Sequence, residues 1–93
     1  MEKQYLESAK ELFNAILSLE TVEDCGAFFE DLCTIKEIED MSQRFEVAKL
    51  LKEKKSYNEV SELTGASTAT ISRVSRCLQY GSGYKNALSK EGK

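Results

Sequence analysis

The stretch from Ser56 to Leu78, SYNEVSELTGASTATISRVSRCL, leaves the chain few ways to fold. It encodes two short helices joined by a tight turn. Ser56, with Glu59 three residues on, forms a capping box for the first helix. Val60 and Leu63 give that helix one apolar side. Thr64-Gly65-Ala66 breaks it, because Gly65 takes a positive φ at no steric cost. Ser67 or Thr68 caps the second helix, where Ile71, Val74 and Leu78 recur at i, i+3 and i+7 and face inward. Val60, Gly65, Ile71 and Val74 thus hold two helices across a turn at a steep angle, the helix-turn-helix arrangement. Small Ser61 sits at their closest approach.

The outward face of the second helix carries Thr68, Ala69, Thr70, Ser72, Arg73 and Arg76. Hydroxyls bond to base edges or phosphates, a methyl touches the thymine methyl, and guanidinium groups pair with phosphates. A helical hairpin inside a bundle would share the apolar spacing and a Ser/Thr-rich outer face. The agreement of spacing, turn chemistry and outer face favours double-stranded DNA as the partner. The net charge of −3 counts against this, but its distribution does not. Residues 1–43 hold three basic and eleven acidic side chains, a net of −8. Residues 44–93 hold ten basic and five acidic ones, a net of +5. Phosphate binding needs local positive charge rather than a basic total. Segregation of charge on solvated helix faces is the alternative origin of the same pattern.

Before this stretch the apolar residues also recur at helical steps, and no proline interrupts them. A first helix is predicted from about Lys3 to Leu19, with Leu6, Ala9, Phe13, Ile16 and Leu17 in one stripe that Tyr5, Leu12 and Leu19 widen. So broad a face implies burial on two sides, against a second subunit. Thr21 starts a second helix, with Glu23 and Asp24 in the first turn, where the helix dipole favours them. Thr34 and Glu37 form another capping box, opening a long helix from Ile35 to about Lys54. Along it Ile38, Met41, Phe45, Ala48 and Leu51 follow at three- and four-residue steps, broadened by Val47 and Leu50. Lys52, Lys54 and Lys55 fall near its C-terminus, where they suit either the dipole or a phosphate. After Leu78 comes a Gly81-Ser82-Gly83 turn, then one or two helical turns from Tyr84 to Leu88 and a frayed end. The fold class is all-α, about six helices. Ninety-three residues suit one domain: dimerisation helices over 1–54, the helix-turn-helix over 56–80 and a short C-terminal segment over 81–93.

Several classes of chemistry find no support. The chain has no histidine, and Cys25, Cys33 and Cys77 are widely spaced, which argues against a zinc site and for free buried thiols. There is no phosphate loop, no convincing carboxylate pair and no base partner for a cysteine, so neither catalytic residues nor an enzyme are expected. No apolar run approaches the ~18 residues of a membrane span. No secretory leader is visible, and the expected compartment is the cytoplasm.

From Cys33 to Leu78 the order of capping box, long helix, helix-turn-helix and glycine turn resembles the Trp repressor family, in particular its YerC/YecD-type Trp repressor-like group. The most specific stretch is GASTATISRVS, residues 65–75, which is similar to that family's turn and recognition helix. Thr34 and Arg44 fit as well, whereas the region before Thr34 matches in helix pattern only. The resemblance implies an intertwined homodimer with two helix-turn-helix heads entering successive major grooves of a pseudo-palindromic site. It places Thr68, Ala69, Thr70 and Ser72 at the bases, and Lys54, Lys55, Asn58 and Ser61 nearer the backbone. It also implies a ligand pocket. The family's tryptophan corepressor has its carboxylate held by two arginines, present here as Arg44 and Arg73, and Thr34 matches a third pocket residue. Val74 departs, standing where the tryptophan-binding protein has the glycine that leaves room for the indole. An isopropyl group fills that room, which points to a smaller ligand, an anion, or none. Arg44 could instead pair with Asp40, and Arg73 with a phosphate. The expected function is a homodimeric, sequence-specific transcriptional regulator. The alternative is a small dimeric helical adaptor whose acidic half binds another protein.

Overall fold

The computed structural model describes residues 4–91. Among them are seven helices and no strand: α1 (Gln4–Ser8), α2 (Lys10–Leu17), α3 (Val22–Leu32), α4 (Ile35–Lys52), α5 (Tyr57–Thr64), α6 (Thr68–Tyr80) and α7 (Gly83–Glu91). Seven rather than six arise because the helix predicted from Lys3 to Leu19 is interrupted at Ala9, with φ −94° and ψ 2°. Helical hydrogen bonds still run through the break: the Ala9 N–H donates to the Tyr5 carbonyl at 3.0 Å, and the Phe13 N–H to the Ala9 carbonyl at 2.9 Å. Lys3 lies outside the described residues, and Leu19 falls beyond the end of α2. At the other end α7 passes the expected limit at Leu88 and stays helical to Glu91, where the sequence predicts a frayed end; only residues 92 and 93 lie outside the described residues there.

The chain divides into two compact units, Met1–Ile38 and Glu39–Lys93, the division falling inside α4. In the first unit, α1, α2 and α3 bury none of their residues within one chain. Of the predicted apolar stripe, Leu17 is 80% exposed, and Tyr5, Leu6 and Phe13 are exposed with it. Thr21 caps α3 by accepting from the Asp24 N–H at 3.0 Å. Phe28 and Phe29 meet edge to face with centroids 5.6 Å apart.

The second unit holds the core. Val47, Ala48 and Leu50 from α4, Val60 from α5, Ala66 from the turn, Ile71 and Val74 from α6, and Leu88 from α7 are buried, with Phe45, Leu51, Leu78 and Tyr84 packed around them. Each fully buried Val or Ile side chain contributes about 1.5–3 kcal/mol. Leu63, expected beside Val60 on the inner side of α5, is instead 66% exposed. Thr64, the other near neighbour of Val60 on the helix surface, is half-buried and donates its hydroxyl to the Val60 carbonyl at 2.7 Å. Met41 is also exposed. The three cysteines are free, as expected, but none is buried: Cys25 and Cys77 are exposed and Cys33 is half-buried.

Candidate nucleic-acid interface

The helix-turn-helix is assembled by short-range polar contacts around apolar anchors. The Ser56 hydroxyl accepts from the Glu59 N–H at 3.1 Å, and the Glu59 carboxylate accepts from the Ser56 N–H at 3.0 Å, completing the capping box at the start of α5. That backbone donor is the main reason the Glu59 carboxyl sits below its ordinary value of 4.5; desolvation opposes it, and Lys55 and the Ser56 hydroxyl assist. At the other end of α5, Gly65 takes φ 77°, the left-handed conformation its lack of a Cβ allows. The Gly65 N–H donates to the Ser61 carbonyl at 2.8 Å, and the Ser61 hydroxyl donates to the Ala66 carbonyl at 3.1 Å. Gln43 reaches across from α4 to donate to the Thr64 carbonyl at 3.1 Å. The turn is therefore tied both internally and to the long helix.

Ser67, not Thr68, caps α6: it accepts from the Thr70 N–H at 3.2 Å, and its hydroxyl also donates to the Thr70 hydroxyl at 3.2 Å. Ile71 and Val74, at 1% and 2% exposure, fix the rotation of α6 about its axis. That rotation leaves Thr68, Ala69, Arg73 and Arg76 exposed, with Thr70 and Ser72 half-buried at the edges of the face. No carboxylate occurs anywhere along α6. Lys54, Lys55 and Asn58 are exposed near the start of α5. Ser61 is half-buried, with its hydroxyl committed to the turn.

Arg44, Arg73 and Val74 come together, with Cys77 and Tyr84, around a cavity of about 310 Å³. Spacing could have pointed to Cys77, which lies four residues after Arg73 and so on the same helix face. Tyr84 follows a glycine-rich turn, across which no periodicity carries. Val74 lines the cavity while belonging to the core, so its isopropyl group forms part of the wall. The volume is at the low end for small-molecule sites. Thr34 caps α4, its hydroxyl accepting from the Glu37 N–H at 3.1 Å and its own N–H donating to the Glu37 carboxylate at 2.8 Å. Among the described residues no cluster of three His, Cys, Asp or Glu could hold a metal, and no helix is long and apolar enough to cross a membrane.

Comparison with known proteins agrees with this geometry. Residues 7–92 match the family model described as Trp repressor protein. The uncharacterized protein YerC of Bacillus subtilis is 56% identical over 81 residues, which span 86% of this chain and 78% of that protein. A TrpR-like protein from Eubacterium eligens, known from its crystal structure, superposes with a TM-score of 0.88 at 53% identity, covering 92% of this chain and 90% of the other. The crystal structure of a candidate Trp repressor from Staphylococcus aureus superposes with a TM-score of 0.91 at 46% identity, covering 99% and 95%. With a helix-turn-helix of this construction and a family match over nearly its whole length, the chain belongs to the Trp repressor family.

Proposed function

We propose that this protein is a homodimeric, sequence-specific DNA-binding regulator of transcription, acting in the cytoplasm as a repressor on a pseudo-palindromic operator. The observation that carries the reading is α6: capped by Ser67, locked by Ile71 and Val74, and presenting hydroxyls, a methyl and two arginines with no carboxylate among them. In the docked complex Thr68, Ala69, Thr70 and Ser72 face base edges. Arg73, Arg76, Lys54, Lys55, Asn58 and Ser61 lie toward the phosphates, Ser61 with its hydroxyl proton already given to the Ala66 carbonyl. The exposed apolar residues of α1–α3 support a dimer, which gives them a surface to bury against. Two α6 helices related by a two-fold axis then read half-sites about ten base pairs apart.

The cavity lined by Arg44 and Arg73 is the matching effector site. Two guanidinium groups suit a carboxylate or another compact anion. Tryptophan fits poorly, because Val74 occupies wall space that an indole ring needs. In vitro selection of random duplex DNA by the purified protein tests the whole reading. The expected result is an inverted repeat, bound with steep salt dependence and lost on Arg73→Ala or Thr70→Ala while the dimer persists. Binding insensitive to salt, or none at all, would overturn it.

A second reading draws on the acidic first segment, net −8 over residues 1–43, together with the exposed apolar residues of the first unit. These would suit an adaptor that binds another protein. A stoichiometric partner that co-purifies with the wild type and with Arg73→Ala would favour that reading.

A further inference from the structure

Two helices of the second unit end in the same backbone conformation but use different residues to reach it. α5 ends on Gly65, with φ 77°. Lys54, two residues past the end of α4 at Lys52, has φ 72° and is the only non-glycine residue at positive φ among the described residues. The α4 end is a full Schellman closure: the Lys55 N–H donates to the Leu50 carbonyl at 3.2 Å and the Lys54 N–H to the Leu51 carbonyl at 3.0 Å. Glycine is the residue this position favours, because an L side chain there crowds its own backbone. A lysine at the position costs strain that glycine would not, offset only in part by its charge at the negative end of α4, where Lys49 and Lys52 already stand. Its side chain is exposed, and no described residue accepts from its ammonium. Lys55 beside it differs, since its charge already acts on the Glu59 carboxylate of the capping box.

We propose that Lys54 is a phosphate anchor whose left-handed backbone is kept, against the stability of the fold, because it projects a positive charge from the turn between α4 and α5. The turn sets the backbone of Lys54, so the ammonium starts from a rigid base instead of a frayed helix end. Less freedom is lost when it meets a phosphate. The proposal rests on the DNA-binding reading and adds to it an opposition between folding and binding at one residue.

Three variants of the full chain test it, with melting followed by circular dichroism and binding by anisotropy on a labelled duplex over a range of salt. Lys54→Gly is expected to melt a few degrees higher, because the left-handed strain is gone. It is expected to bind duplex about 3- to 10-fold more weakly near 0.1 M salt, with the slope of log K against log salt reduced by about one. Lys54→Arg should keep the wild-type slope. Lys54→Asn, which tolerates the left-handed region without glycine's freedom, should lose the slope as Lys54→Gly does. Wild-type affinity and slope in Lys54→Gly would overturn the proposal. Weak binding by Lys54→Gly with a wild-type slope in Lys54→Asn would also overturn it, since rigidity and not charge would then be the cause. A wild-type chain that binds no duplex at low salt overturns the DNA reading itself, and is told apart by the melting gain of Lys54→Gly, which does not depend on DNA.

Discussion

Glu59 shows how one side chain couples the start of α5 to pH. Its carboxyl is held below 4.5 chiefly by the Ser56 N–H, so the folded state binds its proton less readily than the unfolded chain does. A depressed carboxyl of this kind stabilises the fold above its unfolded value and loses that contribution as pH falls through the folded one. Glu59→Gln is therefore expected to melt below the wild type at pH 7, with the gap closing as pH is lowered from about 5 to 3. Thermal melts at a series of pH values check this. The pair was legible in the sequence because a capping box needs only Ser56 and Glu59 three residues apart. Thr34 with Glu37 was legible for the same reason. Leu63 was not: on a two-turn helix, periodicity alone cannot decide whether the third or the fourth residue after Val60 turns inward, and here it is Thr64 that is half-buried. The left-handed backbone of Lys54 was equally hidden, since lysine carries no preference for it.

Among the elements, those with strong ends were read most closely. α3, α5 and α6 start at Thr21, Ser56 and Ser67 because each supplies a hydroxyl to a free backbone N–H. Elements without such punctuation drifted. The break at Ala9 has no cap signal, and α7 is longer than its few apolar residues suggested. Two glycine replacements separate turn chemistry from helix propensity. Gly26 lies inside α3 with nothing within 4 Å of where a Cβ would stand, so Gly26→Ala should raise stability by about 0.5–1 kcal/mol. Gly65 has equal space but φ 77°, so Gly65→Ala should lower stability by about 1 kcal/mol or more. Opposite shifts in the urea midpoint are the expected result. The candidate site followed the same rule as the helices. The outward face of α6 could be read from periodicity, whereas the cavity needed α4, α6 and α7 in place before Tyr84 joined the two arginines.

For the whole molecule, the core belongs to the second unit, whereas α1, α2 and α3 bury none of their residues within one chain. The broad stripe of Leu6, Phe13 and Leu17 carries this message in the sequence itself, because it exceeds what one surface helix uses. If a second copy covers it, the thermal midpoint should rise with protein concentration. Leu17→Glu should abolish that rise and give a monomer by sedimentation, while the helix-turn-helix retains its helical signal. The uneven placement of the core also bears on how the chain is made. Translation delivers α1–α3 to the ribosome exit before the residues that build the core have been added. The nascent protein thus displays its stickiest surface first and longest, and it is during synthesis, more than after release, that this chain is most exposed to misassembly or to chaperone capture.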